Sequence, residues 1–172
     1  NTRNGNILTP MNMWSSITLP YGMQSSDRSL RIISGITNVS KFGGFVLGNQ
    51  LVFNSAIEKA DWFFGNILEF DSWLQRALNK KISYSARLNY KREGTLGGRD
   101  NTIMSPVQTA DPSNYGGQIL NLGLGINMLF RLFGNERKDR IAFEFIFPLS
   151  QAKNGLQMKD SFTFMMGYQR HF

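Results

Sequence analysis

The last twelve residues, Ser161–Phe172, constrain the fold more than any other part of the chain. When they are read with a period of two, five of the six side chains on one face are aromatic or apolar, whereas the other face is mostly small or polar. The apolar face continues to Phe172, the last residue. A transmembrane β-barrel has such a ladder where its closing strand contacts lipid. The alternative is a half-buried strand of a soluble sandwich.

Seven earlier segments also have strand composition, and with the last one they predict eight consecutive antiparallel strands. The predicted strands are Met11–Leu19, Ser29–Val39, Phe42–Asn54, Trp62–Leu78, Ile82–Lys91, Gln118–Phe130, Ile141–Pro148 and Ser161–Phe172. The sequence therefore predicts an all-β, antiparallel transmembrane β-barrel, as one domain over residues 1–172.

The predicted connections alternate in length along the chain. If the C-terminus lies in the periplasm, the periplasmic connections are mostly short and the external ones are longer, which is typical of outer-membrane barrels. The periplasmic connections would be Ser40-Lys41, Asn79–Lys81 and Arg131–Asp139. The external ones would be Pro20–Arg28, Ser55–Asp61, Gly94–Gly117 and Ser150–Asp160.

Aromatic residues lie near the ends of several predicted strands, as in the two girdles of a membrane barrel. The alternative is that aromatic residues simply favour strands. The outer girdle would contain Phe53, Trp62, Phe63, Tyr90, Phe147 and Phe162, and the inner one Phe42, Phe130 and Phe172.

Composition excludes several classes of protein. No run of 18 apolar residues exists, so the chain has no membrane-spanning helix. The formal charge of +7 suits acidic partners such as lipid headgroups and lipopolysaccharide phosphates. Because the basic residues are scattered and form no stripe or basic helix, nucleic acid is not an expected partner. The chain begins at Asn1 without Met, so we expect a processed or truncated sequence.

No catalytic or metal-binding pattern is found. The chain lacks Cys, which excludes a thiolate nucleophile, disulfides and a cysteine zinc site. Its one histidine, His171, is the only base available for a serine nucleophile, and no serine lies in a nucleophile motif. One histidine with scattered carboxylates is a poor metal-ligand set. We therefore expect no enzyme activity, no metal and no cofactor.

Several segments resemble, in the same order, the C-terminal part of the outer-membrane "transporter" proteins related to the meta-pathway of phenol degradation. These segments are Leu19–Gln24, Val107–Gly117, Leu122–Asn127 and Pro148–Phe172. The resemblance implies an outer-membrane barrel that passes small, often hydrophobic compounds. Members of that family are longer, so this chain would be the C-terminal part of a larger barrel. The chain departs from the family pattern at residues 25–28 and 170–172.

The polar faces of the predicted strands converge on a lumen. A three-residue turn at Asn79–Lys81 places Glu69 opposite Lys91 and Asp71 opposite Asn89, with Arg87 diagonal to Asp71. The predicted lumen-facing residues are Glu69, Asp71, Arg87, Asn89, Lys91, Asn121, Asn127 and Glu144. They either line a pore and tune its selectivity or form a structural ladder that fills a narrow lumen.

The function expected from these patterns is passive, porin-like passage of small solutes across the outer membrane of a Gram-negative envelope. The alternative is a structural or anchor subunit of an outer-membrane assembly, which contacts other envelope proteins through the long Gly94–Gly117 loop. A third class is a soluble ligand-binding barrel with its apolar face inward. Outer-membrane lipids and lipopolysaccharide are the expected surroundings in the first two cases.

Overall fold

The computed structural model describes residues 4–8, 11–130 and 139–170, and most of these residues lie in β-strands. The strands are β1 (Asn4–Leu8), β2 (Trp14–Thr18), β3 (Leu30–Phe42), β4 (Phe45–Glu58), β5 (Trp62–Phe63), β6 (Ile67–Ala77), β7 (Ile82–Glu93), β8 (Gly97–Gly98), β9 (Gly117–Phe130), β10 (Asp139–Lys153) and β11 (Thr163–Arg170). Within the described ranges, no helix is long and apolar enough to cross a membrane.

The seven long strands of the described residues form one antiparallel sheet in the order β3-β4-β6-β7-β9-β10-β11. Each of them pairs with the next long strand along the chain, so the sheet is a simple meander. Two small antiparallel pairs stand apart from this sheet, β1 with β2 and β5 with β8.

The two faces of the large sheet differ in chemistry. We call the side with the apolar stripe the apolar face and the opposite side the polar face. The apolar face contains Ile32, Ile36, Leu47, Leu51, Phe53, Leu68, Phe70, Leu74, Tyr84, Leu88, Leu122, Leu124, Ile126, Phe143, Phe145, Phe147, Phe164, Met166 and Tyr168. Many of these side chains are exposed, for example Ile36 (71%), Leu124 (49%) and Met166 (66%).

All eight predicted lumen residues lie on the polar face, and each of them is half-buried. At these positions the polar face is therefore more enclosed than the apolar face.

Among the described residues, the long connections lie at one end of the sheet, and we call this the cap end. The aromatic cluster there contains the buried residues Tyr21, Trp62 and Leu96, with Phe64, Ile103 and Tyr115 packed against them. We call these six residues the loop cap. They come from the connections before β3, between β4 and β6, and between β7 and β9, so three separate loops share one small core.

At the opposite end, the turn end, the two described connections are short. β3 and β4 are joined by Gly43-Gly44, and β6 and β7 by residues 78–81. The predicted turn at Ser40-Lys41 is wrong, because both residues lie within β3. Gly43 and Gly44 have φ of +51° and +83°, which glycine adopts without a side-chain penalty and which a tight two-residue hairpin requires.

The first predicted strand, Met11–Leu19, does not pair with β3. Its residues 14–18 form β2, which pairs with β1 as a separate hairpin.

The fourth predicted strand, Trp62–Leu78, is divided into β5 and β6. Gly65 lies between them, at a point where its backbone comes so close to Gly94 that an added Cβ would collide with the Gly94 carbonyl.

Two further expectations need correction. β10 does not end at Pro148 but continues to Lys153, because a shift in the register between Pro148 and Ser150 accommodates the proline within the ladder. Trp62 is completely buried in the loop cap, so it is not part of an aromatic girdle. The predicted turn residues 131–138, His171 and Phe172 lie outside the described residues.

Candidate functional site: the polar face of the sheet

The register of β6 and β7 agrees with the sequence prediction. Glu69 lies opposite Lys91, and Asp71 lies opposite Asn89. The tight connection is closed by the N–H groups of Leu78 and Asn79, which both donate to the Ile82 carbonyl oxygen. The Asn79 side chain accepts hydrogen bonds from the N–H groups of Lys81 and Ile82, which fixes the turn locally.

The centre of the polar face is an ion pair that crosses β9. Arg87 of β7 donates from Nε and Nη2 to the two carboxylate oxygens of Glu144 of β10, at 2.9 and 2.7 Å. Its Nη1 also lies 4.0 Å from an Asp71 oxygen. A bidentate guanidinium–carboxylate pair is the strongest form of such a contact, so these side chains hold three strands together across the face.

Asn89 extends this arrangement toward the cap end. Its amide nitrogen donates to Glu69 at 2.8 Å and to Asp71 at 3.0 Å, so one amide group separates two carboxylates. The Asn89 amide oxygen accepts a longer bond of 3.3 Å from Asn121 on β9. The predicted residues thus form a connected network, which we call the polar ladder: Glu69, Asp71, Arg87, Asn89, Asn121 and Glu144.

Lys91 and Asn127 have other partners. The Lys91 ammonium lies 3.1 Å from the carboxylate of Glu93 on its own strand. Asn127 accepts a hydrogen bond of 3.1 Å from Nε of Arg140 on β10, toward the turn end. Arg140 also donates to Gln169 of β11 at 3.4 Å, so Asn127 belongs to a second polar group.

At several glycines of the polar face, a neighbouring side chain occupies the space that a side chain of the glycine position would take. An added Cβ on Gly123 would lie 2.6 Å from a Glu144 oxygen, and one on Gly125 would lie 2.6 Å from the Ser85 hydroxyl. The Trp73 indole covers Gly48. Only Gly167 of these four opens onto free space. Because Gly123, Gly125 and Gly48 lack side chains, the side chains of neighbouring strands can extend over these positions.

Two of the cavities that border the polar face measure about 360 Å³ each. One is lined by Trp73, Arg87 and Glu144, near the middle of the sheet. The other lies under the cap end between Tyr115 and the polar-face residues Ile119 and Asn121. Within the residues that the structure describes, no group of three or more His, Asp or Glu side chains is arranged to hold a metal ion.

Trp73 and Arg140 were missed by sequence reasoning. Trp73 has the same alternation parity as Asp71, which would have placed it on the polar face. Arg140 was missed because the predicted strand began at Ile141, one residue after it. Extending the alternation backward from Glu144 would have found it.

Comparison with protein-family models, curated proteins and solved structures found no match to this chain. The family resemblance stays a prediction. Two of its segments, Leu19–Gln24 and Val107–Gly117, are in contact, since the Tyr115 hydroxyl accepts a hydrogen bond from the Gly22 N–H at 3.0 Å.

Proposed function

We propose that this chain forms the wall of an outer-membrane β-barrel, with its apolar face toward lipid and its polar face lining a path for small solutes, hydrophobic ones included. The observation that carries the proposal is the difference between the two faces. Water-soluble monomers rarely expose a continuous apolar surface of more than a few hundred Å². Here such a surface runs across seven consecutive strands of the described chain, whereas Asp71, Arg87 and Glu144 lie on the opposite face, where each is half-buried.

The same difference favours a membrane barrel over a soluble barrel with an apolar interior. In a soluble barrel the apolar side chains would be the shielded set. Leu124 and Phe145, at the centre of adjacent strands, are 49% and 45% exposed. Arg87 and Glu144, on the other face of the sheet, are half-buried. Lipid can cover the first pair without hydrogen bonds, and a wet lumen suits the second.

Closure of the barrel follows a parity rule. β3 and β11 are the two edges of the large sheet, and because it has seven strands in the described residues, its edges run in the same direction. Direct pairing of β3 with β11 would be parallel. An odd number of additional strands between them keeps every pair antiparallel, which is the usual arrangement in these barrels. One such strand gives the eight-stranded barrel, and three or more give a larger barrel of which this chain is a part.

A structural role in an outer-membrane assembly is the second candidate, and a specific observation favours it. Glu144, Ser85 and Trp73 occupy the space beside three glycines of the polar face, which are Gly123, Gly125 and Gly48. A connected ladder with little free volume is what a narrow, closed lumen contains. The lipid environment and contact with lipopolysaccharide would be the same for both candidates.

Conductance distinguishes the two candidates. The purified barrel would be reconstituted in planar bilayers under a salt gradient, and the reversal potential measured for the wild type and for Arg87→Glu. In a narrow, weakly screened lumen, reversal of one fixed charge shifts ion selectivity, so Arg87→Glu is expected to move the reversal potential toward cation preference.

The matched control is Arg92→Glu. This residue lies on the same strand but on the opposite face, so it is expected to leave the reversal potential unchanged. A wild-type protein that folds and inserts but never conducts would reject passage and favour the structural role.

A further inference from the structure

We infer that Arg31 is a positioning residue that holds the loop cap against the cap end of the polar face, and that the cap thereby limits the size of solutes that reach this face. That solutes reach this face rests on the proposed function. The contacts between Arg31 and the cap do not depend on it.

Arg31 joins the start of β3 to the connection between β4 and β6. Its Nη1 and Nη2 donate to the carbonyl oxygens of Phe64 and Gly65, each at 2.9 Å. Nε donates to Asn54 of β4 at 2.8 Å. One guanidinium group thus binds the sheet and the backbone of a cap residue at the same time, which a flexible ammonium group could not do with the same geometry.

Asp27, which is 5% exposed, completes this arrangement, and we call Arg31 and Asp27 together the clamp. Its carboxylate lies 3.4 Å from Arg31 and accepts hydrogen bonds from the N–H groups of Ser29 and Phe64, at 3.1 and 2.9 Å. Phe64 is therefore held by both of its backbone polar groups, one on Asp27 and one on Arg31. A buried carboxylate that loses its cation is costly, so removal of the guanidinium should release this segment.

The cap itself is joined by its tyrosines. The Tyr21 hydroxyl accepts a hydrogen bond from the Asp100 N–H at 2.9 Å. The Tyr115 hydroxyl donates to the Thr109 carbonyl oxygen at 2.8 Å. Tyr21 also packs edge-on against Trp62 and Tyr115, with ring centroids 4.8 and 6.1 Å apart. Displacement of one connection would therefore disturb the others.

The cap borders the polar face directly. Arg31 and Asn54 both lie on that face, and the cavity of about 360 Å³ under the cap is shared by Tyr115 with Ile119 and Asn121. At the base of the cap, the backbones at Gly65 and Gly116 each approach Gly94 so closely that a Cβ on either would collide with it. Solutes that enter at this end must pass through what space these contacts leave.

Thiol labelling tests the inference without relying on conductance, because the natural chain has no cysteine. The reporter is Ile119→Cys, which lines the cavity under the cap. Its reaction with a small maleimide and with a bulky polymer-linked maleimide would be compared in the otherwise natural barrel, in Arg31→Gln and in Arg31→Lys. Heat-dependent gel migration verifies that each variant is folded.

We expect the small reagent to react at similar rates in all three proteins. The bulky reagent should react on the order of ten times faster in Arg31→Gln, because the buried Asp27 carboxylate loses its partner and the clamp opens. Arg31→Lys keeps the charge but loses the planar fork, so an intermediate rate is expected, and it provides the test if Arg31→Gln does not fold.

The controls separate a local effect from general loosening. Arg140→Gln makes the same change at the turn end and should leave the Ile119→Cys rate unchanged. A second reporter there, Ser83→Cys, should be unaffected by Arg31→Gln. Three results would each overturn the inference. The bulky reagent could label Ile119→Cys at the same rate with Arg31 and with Arg31→Gln, or it could already react as fast as the small reagent when Arg31 is present. Arg140→Gln could also raise the bulky-reagent rate as much as Arg31→Gln does. A barrel that is silent in bilayers but shows the Arg31 effect rejects passage and keeps the clamp.

Discussion

At the scale of single residues, the polar face is organised by which positions lack a side chain. Gly123 and Gly125 lie on β9, between the two strands that carry Arg87 and Glu144. Any side chain at Gly123 would occupy the place of the Glu144 carboxylate, because a Cβ added there would lie 2.6 Å from one of its oxygens. The ion pair across β9 thus depends on a neighbour with no side chain.

Gly123→Ala is expected to destabilise the sheet. The added methyl group displaces Glu144 from Arg87, and the loss of a charge-assisted hydrogen bond of this kind costs about 1.5–3 kcal/mol. The free energy of unfolding, measured by urea titration in detergent or lipid, checks this. Gly167→Ala is the control, because a Cβ there meets nothing within 4 Å and alanine restricts the unfolded chain more than glycine does. A loss of stability as large at Gly167 as at Gly123 would contradict the explanation.

At the scale of elements, the faces of the long strands were predictable from alternation, whereas the packing of the loops was not. Alternation alone gave the faces of β6, β7, β9, β10 and β11, and the turn at residues 79–81 gave the register that pairs Glu69 with Lys91. Register follows from alternation because a slip of one residue would exchange the two faces.

The loop cap carries no such periodic signal. Trp62 contacts Tyr21, which is about forty residues away in sequence, and their connections have ordinary polar loop composition. The position of Trp62 at a predicted strand start made it look like a girdle residue. Likewise, opposite register positions did not reveal that the Lys91 ammonium pairs with Glu93, because the final choice of partner depends on side-chain rotamers.

The assigned faces of β9 predict opposite tolerance to charge. If the proposed barrel forms, Leu124→Arg should reduce the amount of folded protein in the membrane fraction far more than Asn121→Arg. Arginine on the lipid face near the middle of a bilayer costs about 2–4 kcal/mol, whereas the polar face can accommodate it next to Asn89 and the adjoining cavity. Similar losses for the two variants would mean that the faces are assigned wrongly.

The cap should respond to high pH through Tyr115. Burial raises the pKa of the Tyr115 hydroxyl above its ordinary value of 10.0, with a smaller opposing effect from the Gly22 N–H. Because the folded-state pKa is raised, the stabilisation is fully present below pH 10 and is lost as the pH rises through the folded-state pKa. The ionised oxygen can then no longer donate to Thr109.

Absorbance of the phenolate measures this directly. The difference between the titrations of the wild type and Tyr115→Phe isolates one tyrosine, which is expected to ionise above pH 10. A difference curve centred at or below that value would show that Tyr115 is not shielded in the cap.

At the scale of the whole molecule, the antiparallel all-β character follows from the sequence, whereas the way in which the sheet is completed does not. The predicted first strand, Met11–Leu19, has a weak alternation interrupted by Ser15, and its residues 14–18 pair with β1 instead of the edge of β3. Pairing between edges is decided by contacts between distant parts of a chain, which local patterns do not contain. The parity of the described strands limits closure by antiparallel pairs to an odd number of further strands.

Spin labelling at two positions of β9 tests directly which face of the sheet contacts lipid. Nitroxide labels at Leu124→Cys and Asn127→Cys would be compared in lipid bilayers for collision with oxygen, which concentrates in lipid, and with a polar nickel chelate, which stays in water. We expect the label at position 124 to collide mainly with oxygen and the label at position 127 mainly with the chelate. The reverse order, or a protein that stays soluble as a monomer without detergent or lipid, would contradict this expectation.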